Sequence, residues 1–404
     1  MPHALSRFAL VAVTAAVTAT MTLAVALPAS AATTDPKTIP GAPEYVSNLI
    51  NVDDVLYFAG GPESSLGTYD GTSFTLYDRP GDPGEAMPAV ELGDDILMQA
   101  DDSNSYGRFW TFDRTTEVFT EWGDTTDGPL IPHDFVVANG VGYFTATDGG
   151  FSPDMLWKFD GSAVTEIAGA TGVDDLATFN GDVYMNAGGV LTVYHPGSNT
   201  FTTDPTVPTP EYFTEYRGKL YWVGYPGMVQ TLYEYTPGTD TTRVFDQPGD
   251  PVDPWSLSVV NDLLYLTGSD GSLDRMLSFD GSTFTAYPGA PIYPYGFTGF
   301  DGKVFFGGSV DGDALLHWFD PATGTFHNFA APSDPFGFTV LGDRMIFPID
   351  EGDGLWFIQL KALAATGVDA TPGVNVALGL LGVGATAIVL TLIARRRSRL
   401  QPQT

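Results

Sequence analysis

Between Asn261 and Tyr287 the chain reads NDLLYLTGSDGSLDRMLSFDGSTFTAY, three short apolar runs set apart by Gly, Asp and Ser. Alternating runs between turn-forming residues predict β-strands, here LLYLTG, RMLSFD and TFTAY. Versions of this stretch recur along the chain. The middle hydrophobe of the second strand falls at Tyr57, Leu97, Tyr143, Tyr184, Tyr221, Tyr265, Phe305 and Ile346, at spacings of 40, 46, 41, 37, 44, 40 and 41 residues. Third strands carry an aromatic at Tyr69, Phe112, Phe159, Tyr194, Tyr235, Phe279 and Phe319, with Phe357 as the eighth. Fourth strands open on a hydrophobe at Phe74, Phe119, Val164, Phe201, Val244, Phe284 and Phe326. A period of this length marks a repeat protein rather than a single-site enzyme scaffold.

The step from the third-strand aromatic to the fourth-strand hydrophobe is five residues where Asp70-Gly71, Asp160-Gly161 or Asp280-Gly281 intervenes, which predicts two-residue primed hairpins. It is seven at Phe112, Tyr194 and Phe319, and nine at Tyr235. A weaker first strand precedes each second strand. The clear ones are YVSNLI (45–50), DFVVA (134–138), YFTEY (212–216), SLSVV (256–260), GFTGF (296–300) and GFTVL (337–341). Four strands in a unit of about 42 residues make an all-β chain and the blade of a β-propeller. Eight second strands predict eight four-stranded blades, with seven the alternative if the first or last unit is only a cap. The eighth unit lacks a fourth strand of its own. Because TIPGAPEY (38–45) echoes AYPGAPIY (286–293), residues 37–40 are expected to supply it and close the ring, which removes free strand edges. The unit also resembles kelch-like and hyalin-type bacterial surface repeats over roughly residues 40–360, in pattern and without the double glycine of kelch units. That resemblance implies the same fold.

Composition adds constraints. The counts of Gly 47 and Pro 30 fit a chain dense in turns, and 43% hydrophobic residues supply a core. With no cysteine, disulfides, thiolate metal sites and thiol catalysis are excluded, so packing alone must hold the fold. The formal charge is −32. Taking away Arg7 with residues 1–31, and Asp369 with four arginines in 367–404, leaves 12 basic against 48 acidic residues, or −36. Such a surface repels nucleic acid and anionic lipid headgroups, leaving cations, cationic surfaces and neutral glycans as partners. The same acidity serves solubility outside the cell.

The two ends carry an address. Arg7, the apolar run from Phe8 to Leu27 and the Ala29-Ser30-Ala31 site read as a secretory signal peptide over 1–31. At the other end Val374 to Ala394 is uncharged, long enough as a helix to span about 30 Å of hydrocarbon. Arg395, Arg396, Arg397 and Arg399 follow, predicting a cytoplasmic tail over 395–404 and the 32–360 domain outside. In the linker, 361–373, stands Leu363-Ala364-Ala365-Thr366-Gly367. Motif, apolar span and basic tail in this order resemble the cell-wall sorting signal of Gram-positive surface proteins. The usual motif is LPxTG; Ala364 replaces the proline, as in the LAxTG substrates of actinobacterial class E sortases. The resemblance implies that a sortase cuts between Thr366 and Gly367 and joins Thr366 to peptidoglycan; a retained single-pass membrane anchor is the alternative.

Candidate chemistry sits in loops. In propellers the blade-to-blade loops and those between second and third strands share one face. Here the former are DRPGDPGEAMP (78–88), WGDTTDGPLIP (122–132), DPTVPTP (204–210), DQPGDPVDPW (246–255) and YPGAPIYP (287–294). This face is expected to be acidic, with Trp122, Tyr225, Trp255, Tyr293 and Tyr295 near it. Rings beside carboxylates suit neutral sugars; the plainer reading packs those rings between blades. The acidic loops SDGSLD (269–274) and DEGDG (350–354) have the carboxylate density of a calcium site but not EF-hand spacing, and no other cofactor is indicated. Catalysis has little support. His195, His317 and His327 fall in or beside strands, only His133 lies in a blade-to-blade loop, and no nucleophile elbow, zinc motif or phosphate loop is present. The expected protein is an envelope-displayed binding propeller for a glycan or protein. An envelope-tethered carbohydrate-active enzyme and a structural surface component are the alternatives.

Overall fold

The computed structural model describes residues 34–359 except 103–105, 123–127, 148–152, 228, 238, 240, 270–272, 311 and 350–353. Ala29 and Ala31 of the cleavage site, Leu363, Ala364, Ala365, Thr366 and Gly367, the 374–394 span and Arg395, Arg396, Arg397 and Arg399 lie outside the described residues. Among the described residues every regular element is a strand, and no helix is long and apolar enough to cross a membrane.

Strands follow one another as antiparallel meanders. Six sheets have four strands each; a seventh has eight, formed where the 84–122 and 130–171 meanders touch at Leu130↔Arg108. The last four-stranded sheet draws on both ends of the domain. Lys37–Thr38 lies antiparallel to Leu355–Gln359, with Lys37 opposite Phe357, and so supplies the outer strand as expected.

The sequence pattern explains the layering. Second strands such as Val55–Gly60 and Lys219–Gly224 are covered on both faces and read as near-continuous apolar runs. Outer strands such as Thr241–Phe245 are exposed and polar except where they touch the layer beneath. Eight hydrophobic clusters fill the spaces between successive four-strand units, for example Val52, Tyr57 and Tyr77 with Ile96, Met98 and Phe112. One of them joins last to first, packing Leu341, Ile346 and Leu355 against Val46, Leu56 and Phe58. Consecutive four-stranded meanders packed face to face around a closed circuit form a β-propeller.

Within units the same cross-strand ring pair repeats: Tyr69–Phe74 at 4.4 Å, Phe112–Phe119 at 4.9 Å, Tyr194–Phe201 at 5.0 Å, Phe279–Phe284 at 4.4 Å and Phe319–Phe326 at 4.7 Å between centroids. Scarce basic residues clamp neighbouring units on the face of the first-to-second-strand turns. Arg114 reaches Asp53 at 2.7 Å and Glu91 at 2.5 Å, Arg217 reaches Asp262 at 2.6 Å, and Arg344 donates to the Tyr69 hydroxyl at 2.9 Å.

Three local expectations are corrected. The two-residue primed turns join first to second strands, as at Asn139-Gly140, where both φ are positive. At Asp70 the connection spans four residues, and Asp70 caps it. Its Oδ1 accepts from the N–H of Ser73 and of Thr72, both at 2.8 Å, which holds the carboxyl below the usual range. Second, Tyr235 faces Thr242 and not Val244, so the step there is seven residues, not nine. Third, much of the sequence assigned to blade-to-blade loops is inner strand. Gly84–Leu92, Leu130–Ala138, Val252–Val260 and Ile292–Phe300 all begin inside those loops, and Gly84–Leu92 and Val173–Phe179 were not among the clear first strands.

Candidate functional site

Seven inner strands enter through two left-handed residues three positions apart. Tyr45 and Asn48, Ile131 and Asp134, Gly172 and Asp175, Thr209 and Tyr212, Asp253 and Ser256, Tyr293 and Gly296, and Asp334 and Gly337 have φ between 43° and 66°. In the second unit Glu85 takes the first place, and Pro88, whose ring forbids such φ, the second. The residue after the first kink is buried in every unit: Val46, Ala86, Pro132, Val173, Pro210, Pro254, Pro294 and Pro335. The one after that pairs with the second strand, as Ser47↔Ala59, His133↔Thr145, Glu211↔Val223 and Trp255↔Thr267. A doubled bulge of this kind re-aims side chains at a sheet's end. Here a buried proline or small residue pins each kink, and the third and fourth residues are presented on the rim around the central axis.

The third residues, in order, are Ser47, Met87, His133, Asp174, Glu211, Trp255, Tyr295 and Phe336; the fourth are Asn48, Pro88, Asp134, Asp175, Tyr212, Ser256, Gly296 and Gly337. The rim is therefore divided. One arc, from His133 to Tyr212, is ionisable. The other, from Trp255 to Gly337, is aromatic with small neighbours.

In the ionisable arc His133 Nδ1 meets Asp134 Oδ2 at 2.9 Å and Thr145 Oγ1 at 2.7 Å, while Nε2 faces Asp154 at 3.6 Å. Asp134 also accepts from the N–H of Asp175 in the next unit at 3.1 Å. The hydrogen bond to Asp134, then the charge of Asp134 and those of Asp154 and Asp174, raise the His133 pKa against burial. Burial pushes Asp134 up, yet the hydrogen bond and charge of His133 win and hold it low. Asp174 is raised by burial and by its hydrogen bond with Asp134. Asp175 goes further, to about 7, through burial and then the charges of Asp174, Asp134 and Glu211. Glu211 accepts from the Tyr225 hydroxyl at 3.1 Å, and Gln230 donates to that hydroxyl in turn.

One ligand atom each from His133, Asp134 and Asp174 lies within 4.8 Å of the others, the one group of metal-ligating type among the described residues. Both partners of His133 Nδ1 belong to the protein. The calcium candidates are only partly covered: residues 270–272 and 350–353 fall outside the described residues.

In the aromatic arc the same inter-unit link recurs, with Ser256 Oγ accepting from the Gly296 N–H at 3.1 Å. Buried Thr267 donates to the carbonyl of Pro294, tying Trp255's partner strand to the next kink. The hydroxyl end of the Tyr295 ring packs against Gly307, where an added Cβ would overlap it. Tyr293 is 49% exposed at the first kink.

Of the aromatics expected near this face, Trp255, Tyr293 and Tyr295 belong to the rim and Tyr225 borders it through Glu211. Trp122 does not; it donates to Thr111 Oγ1 at 2.9 Å and packs on Phe159 at 4.7 Å. His317 is buried with Nε2 on the Gly308 carbonyl at 3.2 Å, and His327 stacks on Trp318 at 3.8 Å, both structural. Sequence reasoning passed over Asp134, Asp174, Asp175, Glu211 and Phe336. A signal was present: the buried kink residue stands eleven positions before the second-strand hydrophobe in every unit, as 46 before 57, 132 before 143 and 335 before 346.

No protein-family model and no curated protein matches the chain. Among solved structures, a prolyl endopeptidase is similar with a TM-score of 0.50 at 11% identity, over 76% of this chain and 54% of that one. A puromycin-hydrolysing peptidase of Mycobacterium tuberculosis gives 0.50 at 14% identity, over 80% and 61%. The β-propeller domain of the Trilobed protease from Pyrococcus furiosus gives 0.45 at 11% identity, over 81% and 98%. The chain thus spans 54% and 61% of the two peptidases it resembles, and likeness at these identities is one of fold.

Proposed function

We propose that this chain is an exported propeller of eight blades, anchored in the cell wall, that binds a neutral glycan across its rim. The division of the rim carries the reading. A sugar ring has one C–H face and a circumference of hydroxyls, so it calls for an aromatic surface on one side and fixed hydrogen-bond acceptors on the other. Trp255, Tyr295 and Phe336 supply the first; Asp134, Asp174 and Glu211 supply the second. Counting the eight-stranded sheet as two blades supports eight, with the sheet shared by both ends as the eighth.

The address is supported by the order of the Leu363–Gly367 motif, the 374–394 span and the arginines behind it. Sortase and peptidoglycan are then its partners, with the membrane a temporary one. A glycan array probed with the full-length chain, with calcium and then with a chelator, tests the binding. A defined neutral sugar in either condition is the expected result. A blank array in both returns the rim aromatics to a packing role. For the address, Thr366→Ala should move the protein from the wall fraction to the membrane fraction; unchanged wall linkage would end the sorting reading.

A second reading has one observation in its favour. A carboxyl lifted to about 7, Asp175, stands beside one held low, Asp134. Environments that separate two carboxyls in this way suit an acid and base pair for glycoside hydrolysis. Release of reducing ends from the array-selected glycan, abolished in Asp175→Asn, would favour the enzyme; intact glycan favours the binder.

A further inference from the structure

The ring-pair repeat between third and fourth strands fails in three units; in the eighth, where Phe357 faces Lys37, the Arg344 guanidinium covers the ring at 5.0 Å from its centroid. Phe74, Phe119, Phe201, Phe284 and Phe326 each cover the third-strand aromatic of their own unit, and Phe159, which faces the smaller Val164, is covered by Trp122. Tyr235 faces Thr242 instead. The missing phenyl leaves a cavity of about 400 Å³ between the fourth and fifth units. Its walls are Tyr184 and Tyr235, with ring centroids 6.0 Å apart, and Asp182, His195, Thr203, Asp204 and Thr242. His195 ends its strand and Asp182 begins the one beside it, so the opening is on the face of the first-to-second-strand turns, away from the rim.

We infer that this groove is a binding site for a single neutral sugar ring, an aldopyranose. The volume falls within the range of roughly 300–1,000 Å³ typical of small-ligand sites. No lysine or arginine lines it, which disfavours phosphate, sulfate and uronate. Both carboxylates already have partners. Asp182 Oδ2 meets His195 Nδ1 at 3.0 Å, and Asp204 Oδ1 accepts from the N–H and hydroxyl of Thr206 at 2.9 and 2.6 Å. Partnered carboxylates pull less on a cation yet keep lone pairs for hydroxyl donors. His195 Nε2 is held by Thr202 at 3.0 Å, which orients the imidazole at the lip. The half-buried Tyr235 ring offers the flat surface that a sugar's C–H face needs, with the buried Tyr184 ring behind it, tilted by 49°. The groove and the rim share no residue, so either stands without the other.

Saturation-transfer NMR on the full-length chain tests the site. The probes are glucose, galactose, mannose, xylose and N-acetylglucosamine, with lysine as an amine control. At least one sugar should receive saturation from the wild type and from the rim variant Trp255→Ala, whose stacking ring is gone. Thr242→Phe supplies the phenyl found in five other units, so it should fold and lose at least four fifths of that signal. If Thr242→Phe does not fold, His195→Gln is the second variant and should weaken the signal by a similar factor. Silence from every sugar, a response from lysine alone, or an undiminished signal in the folded Thr242→Phe or His195→Gln chain would overturn the proposal.

Discussion

The two arcs of the rim use one backbone device for opposite chemistry. Both enter each inner strand through a doubled left-handed kink, and both link the fourth kink residue to the next unit by a hydrogen bond at 3.1 Å. In the ionisable arc the kinks fall on Asp134 and Asp175, residues that tolerate left-handed φ while carrying charge. In the aromatic arc they fall on Ser256, Gly296 and Gly337, small residues that leave room for Trp255, Tyr295 and Phe336. Small kink residues thus accompany the rings of Trp255, Tyr295 and Phe336. The device is conformational; the chemistry is a choice of side chain.

Disturbing the ring support in the aromatic arc should have the largest effect. Gly307→Ala drives a Cβ into the ring of Tyr295, and overpacking of this kind costs about 1–3 kcal/mol. The melting temperature should fall, and glycan affinity with it, because Tyr295 must turn away. A melting temperature equal to wild type would show that Tyr295 is not seated on Gly307.

The kinks themselves offer a test of opposite signs. Gly296→Val places a branched side chain at a left-handed φ and against the Phe338 ring, which should cost about 1–2 kcal/mol. Asp175→Gly in the ionisable arc should not lower the melting temperature, since glycine adopts this φ freely. Equal losses in the two variants would erase the distinction between the arcs.

A smaller effect separates the arcs by pH. Asp175, raised by burial and neighbouring charge to about 7, keeps its proton in the folded chain where the unfolded chain has lost it. Its contribution to stability is fully present below about pH 4 and is lost as pH climbs through the folded value. Asp175→Asn removes that loss. Its stability relative to wild type should therefore rise between pH 5 and pH 8, by on the order of 1 kcal/mol once solvent screening is allowed for. Thermal melts of both proteins at the two pH values measure this, and a difference independent of pH would contradict the assignment.

Much of the fold was legible because second strands are buried on both faces. An unbroken apolar run at a period near 41 residues survives variation elsewhere, and the echo of AYPGAPIY in TIPGAPEY points to the outer strand at Lys37. Inner strands were half hidden. Their kinks break the two-residue alternation, and Pro132, Pro254 and Pro294 look like loop punctuation when they are in fact buried strand residues. The rim acids were obscured by number: Asp134, Asp174 and Asp175 are three of 48, and only register separates them from solvated ones. His133 stood out because histidines are few. Val244 was mistaken for the partner of Tyr235 because hydrophobicity was allowed to outrank register, and that error hid the groove beside Thr242.

The measurement closest to the central claim is the affinity of the array-selected glycan for Trp255→Ala, set beside Tyr106→Ala as an exposed aromatic that is not one of the kink residues. Loss of one stacking ring should weaken binding by about tenfold, equivalent to roughly 1.4 kcal/mol, while Tyr106→Ala leaves it unchanged. Equal affinity in wild type and a folded Trp255→Ala would contradict a glycan site on the rim.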